Sequence, residues 1–324
     1  MSIAIMTSGG DCAGMNPAIK YFVEHALSQN LNPYLIYDGL EGMIDNRIQK
    51  ATLNSVNSII HLGGTVIGSS RSKRFFEYNY RKQAYENLEK LGIDKIIVLG
   101  GDGSFRAMDV FFHNFGIKFV GIPSTIDNDI YGTEYCLGVD TALNIIRSSI
   151  DSIRDTASSF RRAFVVETMG RESGYLALIS AITSGAEICV IPEMPYDLES
   201  KKRQIQKDID EGKRYVLAVV AEGTQKTQEV YEFLKNDIQM DTRVTILGHI
   251  QRGGNPTVFD RLMASNFIKH SIDRILEKDC TGEVIVYKKS SFEFITIDYI
   301  ASHSYKISDA LIGLYRVDYC GNKC

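Results

Sequence analysis

Short apolar runs alternate with longer amphipathic stretches along most of the chain. Runs at 3–6, 34–37, 95–99, 118–122, 163–167, 187–191, 215–220 and 244–247 are of strand length. Several are apolar on both faces, the pattern of parallel strands covered by helices on either side. Helical periods fill the gaps. The one over 139–154 puts Ala142, Ile146, Ile150 and Ile153 on a single face, and another over 256–276 opens on Pro256, where a missing N–H costs little. Strand–helix alternation of this kind predicts a doubly wound α/β architecture. No low-complexity linker or internal repeat divides the chain, and a boundary is expected near 136–139, between two lobes facing one another. In such folds ligands sit beyond the carboxyl ends of the strands, so the loops after the strands should carry the chemistry.

Composition narrows this picture only a little. With 44% hydrophobic and 23% charged residues over 324 positions, the chain lies in the ordinary globular range. A net charge of −4 supplies no basic field for nucleic acid or an anionic membrane, so a bound anion must be held by a local cluster of cations. The opening MSIAIMTSGG has no basic n-region, and no stretch approaches the roughly 20 apolar residues of a membrane span. Six scattered cysteines (Cys12, Cys136, Cys189, Cys280, Cys320 and Cys324) form no CxxC pair and read as free thiols of a cytoplasmic protein. Cys320 and Cys324, with no histidine nearby, make a poor zinc site.

Chemistry-bearing residues collect in four groups. The first, Thr7-Ser8-Gly9-Gly10-Asp11-Cys12-Ala13-Gly14-Met15-Asn16, lies between the first strand and a helix, and its paired glycines let the backbone approach a phosphate. It is neither a Walker A motif nor a GxGxxG fingerprint, and a plain turn capped by Asp11 accounts for it equally well. The second, Leu99-Gly100-Gly101-Asp102-Gly103-Ser104, suits a nucleoside triphosphate approached by backbone, with Asp102 holding Mg²⁺ directly or through water; a plain glycine turn is the alternative. The third, Pro123 to Asp129, sets Asp127 and Asp129 two residues apart. A metal, or a substrate hydroxyl giving up its proton, would relieve them, and a solvated turn is the equal alternative. The fourth is cationic: Arg161, Arg162, Arg171 after Met169-Gly170, Arg243, His249, and Arg252 before Gly253-Gly254. Arginine forks match phosphate oxygens in pairs.

Together these segments closely resemble the phosphofructokinase family, in its bacterial-type, ATP-dependent branch. TSGGD..GMN, GGDGS, TIDND, the stretch from Val166 to Gly174, and LGHIQRGG followed by Pro256 and Asp260-Arg261 stand in family order and spacing from residue 2 to about residue 300. The resemblance implies glycolytic transfer of the γ-phosphoryl group of MgATP to the 1-hydroxyl of fructose 6-phosphate, with ATP as co-substrate and Mg²⁺ as cofactor. It implies two Rossmann-like lobes with largely parallel sheets and the active site in the cleft between them. Residues 1–138 plus about 251–301 would bind nucleotide, and 139–250 plus about 302–324 the sugar phosphate.

Residue by residue, the family's pattern makes Asp127 the base, with Arg171, Thr125 and the Gly10 backbone stabilising the transferring group. Gly10, Arg71, Ser72, Gly101, Asp102, Gly103 and Ser104 would hold ATP, and Asp102 with Asp129 the metal. Arg162, Arg243, His249 and Arg252 match binders of the 6-phosphate, and Thr125, Met169, Gly170 and Glu222 the other sugar contacts. In bacterial-type members Arg162 and Arg243 come from a neighbouring subunit, which implies a homo-oligomer, a tetramer. Regulated members bind ADP or phosphoenolpyruvate between subunits. Arg154, Glu187 and Lys213 match that effector site, but Lys20, Glu24, Leu53 and Glu211 replace or reverse its cationic residues, so weak or absent regulation is expected. Leu40, Ser72, Lys73, Arg74 and Ala107 depart from the family near the adenine and leave base preference open. The alternatives are a pyrophosphate-dependent enzyme, a kinase for another sugar phosphate, or a silent sugar-phosphate-binding homologue. The last fits poorly with the presence of both Asp127 and Arg171.

Donor class turns on two positions. Members that use pyrophosphate carry Asp where this chain has Gly103, and Lys where it has Ser124. An aspartate at 103 would crowd and repel the α-phosphate of a nucleotide, whereas glycine leaves room for it. Gly103→Asp should lower kcat/KM for ATP by about 100-fold or more in a steady-state assay, and undiminished ATP use would remove the argument.

Overall fold

Eleven strands form among the described residues, 1–317 of the computed structural model: β1 (Ser2–Thr7), β2 (Asn32–Ile36), β3 (Ile48–Lys50), β4 (Ile93–Gly100), β5 (Lys118–Pro123), β6 (Arg162–Thr168), β7 (Ile188–Val190), β8 (Val216–Ala221), β9 (Asp241–Ile246), β10 (Gly282–Lys288) and β11 (Ser291–Thr296). Between and after them come helices α1 (Met15–Ser28), α2 (Gly39–Ile44), α3 (Tyr78–Lys90), α4 (Asp102–Phe115), α5 (Val139–Phe160), α6 (Tyr175–Ser184), α7 (Leu198–Asp210), α8 (Thr227–Glu232), α9 (Val258–Ile275), α10 (Ile297–Ala301) and α11 (Asp309–Val317). The architecture is α/β with largely parallel sheets, as the alternating pattern predicts.

The chain divides into two units. The first contains Met1–Ile126, Ile130–Thr141 and Arg252–Tyr305; the second contains Asp127–Asp129, Ala142–Gln251 and the described residues from Lys306 on. In the first, seven strands lie in the order β11-β10-β5-β4-β1-β2-β3. The order reverses between β1 and β4, which pair in parallel, so the loops after these two strands open at a switch point of the kind that binds ligands. The second unit has a parallel four-stranded sheet of order β7-β8-β6-β9, so the loops after β6, β8 and β9 share one end of it. Its core is packed from Val165, Val190, Ala218, Val220, Phe233 and Leu234. On α5, Ala142, Ile146 and Ile150 are buried as their spacing predicts, and Ile153 is half-buried.

Three features differ from the sequence pattern. β9 begins at Asp241 rather than Val244, because it is an edge strand that leaves Asp241, Arg243, Val244 and Ile246 exposed and so carries no clear apolar run. β3 is a three-residue antiparallel edge, too short to carry a period. β10 and β11 form a hairpin through Lys289 and Ser290, with φ of +49° and +62°. Such turns usually signal themselves with Asn-Gly or Asp-Gly, and this pair gives no such cue.

A buried carboxylate fixes the segment that leads from the Asp127 loop into α5. Asp260, in the first turn of α9, is fully buried and accepts from the Tyr135 hydroxyl at 2.9 Å, Gly138 N–H at 2.7 Å, Thr141 N–H at 2.8 Å and the Thr141 hydroxyl at 2.6 Å. Burial pushes its pKa upward, and the four donors oppose that shift. The same segment rests on the first glycine loop. A Cβ at Gly14 would overlap Leu137, and one at Gly138 would overlap Cys12.

Cys12, Cys136, Cys189 and Cys280 are buried free thiols, and burial pushes Cys12 and Cys189 up to about 12, which leaves them protonated and unreactive. Cys320 and Cys324 lie outside the described residues. Among the described residues no helix is long and apolar enough to cross a membrane.

Candidate active site

The two glycine loops of the first unit are joined at their bases. Ser8 N–H donates to the Leu99 carbonyl at 2.9 Å, and the Ser104 hydroxyl donates to the Ser8 hydroxyl at 2.8 Å. Gly9 takes φ of +88°, which turns the chain away from β1. Asn16, the second residue of α1, holds residues 62–66 through Nδ2 bonds to the Leu62 and Gly63 carbonyls at 3.2 and 3.0 Å, and accepts from Val66 N–H at 2.7 Å. Gly103 is exposed, and a Cβ there meets nothing within 4 Å, so the fold itself leaves room for a side chain at 103. Arg71 is exposed and Ser72 buried, its hydroxyl accepting from Phe75 N–H at 3.0 Å. Arg252, expected among the sugar-phosphate binders, has its guanidinium directly over Gly10 and donates to the Asp11 carbonyl at 3.3 Å. It brings a cation to the first glycine loop.

Asp127 and Arg171 come together in the second unit. The Asp127 carboxylate is 1% exposed, and its Oδ2 lies 3.3 Å from Arg171 Nε, while the Arg171 side chain itself is 54% exposed. Arg171 takes φ of +52°, a left-handed conformation that costs a side-chain-bearing residue about 1–3 kcal/mol and persists only where its surroundings impose it. Three neighbours do so. Arg171 N–H donates to Glu222 Oε1 at 3.1 Å, Ser173 N–H donates to the Gly170 carbonyl at 2.8 Å, and Gly174 N–H donates to both Glu193 oxygens at 2.9 and 3.1 Å. Gly223 lies so close beneath the Arg171 carbonyl that a Cβ at 223 would overlap its oxygen. Met169 is buried, and its N–H donates to Gln251 at 3.2 Å; His249, two residues before Gln251, is exposed. Sequence reasoning passed over Asn16, Glu193, Gly223 and Gln251. Asn16 stands inside TSGGD..GMN and Gln251 inside LGHIQRGG, between His249 and Arg252, but neither motif shows what its residue holds.

Arg162 and Arg243 are drawn together by one carboxylate. Asp241 Oδ2 lies 2.7 Å from Arg162 Nε, and Asp241 Oδ1 lies 2.7 Å from Arg243 Nη1. The register explains it, since Arg162 pairs with Asp241 across β6 and β9. The expected effector residues are engaged nearby in their own unit. Lys213 pairs with Glu187 and lies 3.8 Å from Asp208, and Arg154 donates to the Ser184 carbonyl. In the first unit Lys20 pairs with Glu24.

Among the described residues no three His, Cys, Asp or Glu side chains cluster as a metal cage. Asp102, in the first turn of α4, is half-exposed and makes an i,i+4 bond of 2.8 Å to Arg106 Nε, a surface pair of little strength. One accessible carboxylate beside a glycine turn suits Mg²⁺, which keeps most of its waters and is held largely by substrate phosphates. The residues present therefore fit a metal that arrives with its nucleotide.

The family described as Phosphofructokinase matches residues 2–275. The ATP-dependent 6-phosphofructokinase of Sulfurimonas denitrificans is 55% identical over 316 residues, covering 97% of this chain and 99% of that one. The protein of the same name from Macrococcus caseolyticus is 42% identical, covering 95% and 98%. Among solved structures, phosphofructokinase from Saccharomyces cerevisiae superposes with a TM-score of 0.89 at 31% identity over 98% of this chain, which spans about half (48%) of the yeast chain. A pyrophosphate-dependent phosphofructokinase from Marinobacter aquaeolei, at 17% identity, a TM-score of 0.83 and 100% and 93% coverage, shares the fold.

The close approach at Gly223 makes a direct test of how the Arg171 loop is held. Gly223→Ala should fold, because the loop can move outward, but should lower kcat about 100-fold by displacing Arg171. Thermal unfolding and steady-state kinetics on the same preparation check both halves.

Proposed function

The chain belongs to the phosphofructokinase family, and on that premise we propose how its loops carry a phosphoryl group from MgATP to the 1-hydroxyl of fructose 6-phosphate, giving fructose 1,6-bisphosphate and ADP. The observation that carries this reading is the Asp127–Arg171 pair, a buried carboxylate 3.3 Å from a guanidinium set in a strained loop. Asp127 takes the proton of the 1-hydroxyl as the oxygen attacks the γ-phosphorus. Arg171 turns from Asp127 toward the equatorial oxygens of the transferring group, where Thr125 and the Gly10 N–H add donors. This stabilisation of spread charge is the larger share of phosphoryl-transfer catalysis. Gly101, Gly103 and Ser104 with Arg71 and Ser72 hold the nucleotide. Asp102, with Asp129, would hold Mg²⁺, which when bound neutralises the phosphate oxygens. Met169, Gly170 and Glu222 orient the sugar, and His249 and Arg252 take its 6-phosphate.

Arg162 and Arg243 serve the 6-phosphate of a neighbouring subunit in a homo-oligomer, read here as a tetramer. What supports this is the outward face of β9, an open edge on which Val244 is 39% exposed and Ile246 65% exposed beside the two arginines. A cytoplasmic location is part of the same reading, and an ATP-consuming reaction on a sugar phosphate supports it. The pyrophosphate-dependent alternative is not favoured, since relatives at 52–55% identity are named ATP-dependent and Gly103 leaves open space above its turn. Effector control is weak because Lys213, Arg154 and Lys20 already spend their charge on Glu187, the Ser184 carbonyl and Glu24.

Steady-state assays test this directly. Turnover with fructose 6-phosphate should be rapid with ATP and below about 1% of that rate with pyrophosphate, and fructose 6-phosphate saturation should stay unshifted by millimolar phosphoenolpyruvate or ADP. Efficient pyrophosphate use would contradict the donor, a clear sigmoidal shift the effector reading, and no turnover the enzyme assignment. Sedimentation velocity on the same protein should show a tetramer.

A further inference from the structure

β6 and β9 run side by side until their ladder ends. Glu167 lies opposite Ile246, and Leu247 N–H donates to the Glu167 carbonyl at 3.1 Å. Beyond that bond the two chains part. One enters the loop that carries Arg171, the other the turn Gly248–Arg252 that carries His249. The next backbone groups in line are the Met169 N–H and the Gly248 carbonyl, and both end on one side chain. Gln251 Oε1 accepts from Met169 N at 3.2 Å, and Gln251 Nε2 donates to the Gly248 carbonyl at 2.9 Å.

The Gln251 amide is therefore a side-chain rung, a peptide-like group inserted where the strands have moved too far apart to bond directly. Gln251 is 1% exposed, so neither end of its amide has bulk water as a substitute partner, and burying an unbonded amide is costly. The groups it joins need such a tie. Gly170 and Gly248 have φ of +141° and +52°, Arg171 has +52°, and neither loop has a regular ladder beyond Leu247 to hold it. Glu222 and Glu193 fix the far side of the Arg171 loop through Arg171 N–H and Gly174 N–H, while Gln251 fixes its entry.

We propose that Gln251 is a positioning residue for phosphoryl transfer, its amide holding the Arg171 loop in register with the His249 turn. This rests on the roles given above to Arg171 and His249. It touches neither substrate, and its effect passes through the two loops it ties. Charge stabilisation at a phosphoryl group is sensitive to displacements of about 1 Å, so a slackened tie should be felt in both turnover and sugar binding.

The test is a double-mutant cycle. Gln251→Met keeps the length of the side chain and removes both bonds; Gln251→Glu keeps an acceptor for Met169 but sets an oxygen against the Gly248 carbonyl. Each is measured for kcat, for KM of fructose 6-phosphate and of ATP, and for Tm, in the wild-type and Arg171→Ser backgrounds. Gln251→Met should lower kcat and raise the sugar KM, each about 10-fold or more, with the ATP KM within about twofold. Its kcat penalty should shrink to less than about threefold in the Arg171→Ser background, because the loop no longer carries the group it positions. Near-normal kcat and sugar KM in folded Gln251→Met would overturn the proposal. So would an equal kcat penalty in both backgrounds, or an ATP KM rising in step with the sugar KM. If Gln251→Met does not fold, Gln251→Glu is judged by the same criteria. Unimpaired turnover in Arg171→Ser alone would count against the role of Arg171, and the sugar KM of Gln251→Met would still decide for or against the rung.

Discussion

A carboxylate withdrawn from water beside a guanidinium in a strained turn is the constraint to which the rest of the second unit conforms. Asp127 is 1% exposed, and Arg171 Nε lies 3.3 Å from it. Burial of a charge demands a partner, and the left-handed backbone of Arg171 demands support; one small region supplies both. Its supports are ordinary polar groups. Glu222, Glu193 and Gln251 each accept one backbone N–H of the loop, and Gly223 withdraws its side chain so that the Arg171 carbonyl can pass. The guanidinium left half-exposed at the end of this scaffold is free to exchange a carboxylate for a phosphoryl oxygen.

The first unit is organised differently, around its two glycine turns. Parallel pairing of β1 with β4 at the reversal of strand order sets two glycine turns side by side, and hydroxyls of Ser8 and Ser104 join them. Asp260 stabilises the same region from below. Its carboxylate gathers four donors from the chain between Tyr135 and Thr141, and Gly138 rests on Cys12 of the first glycine turn. A single buried anion thus organises the path from the Asp127 loop to the start of α5.

Much of this is legible in the sequence, and the parts that are not share a cause. Buried strands such as β1, β4 and β8 announce themselves because both faces are apolar. β9 is blurred because an edge strand in a parallel sheet leaves Arg243, Val244 and Ile246 outside, and the β10–β11 hairpin is hidden because Lys289 and Ser290 adopt positive φ without glycine. At the site, Asp127, Arg171 and the glycine turns are visible as motifs, since chemistry restricts which residues can stand there. Glu193 and Gly223 are invisible as motifs, because they act by holding backbone across 19 and 52 positions of sequence, and only the fold brings those positions together; Asn16 stands in TSGGD..GMN, but its hold on Val66, 50 positions away, does not show there. Spacing also leaves unread where Arg252 points: three residues from His249, it sets its guanidinium over Gly10.

The central claim is that Asp127 is the base for the 1-hydroxyl and not a structural partner of Arg171. The most direct measurement compares Asp127→Ser with the wild type for kcat and, separately, for equilibrium binding of fructose 6-phosphate. Removal of a general base predicts a fall in kcat of about 1000-fold with sugar-phosphate affinity changed by less than about threefold. A kcat within about tenfold of the wild type, in a variant that still binds the sugar phosphate, would contradict it.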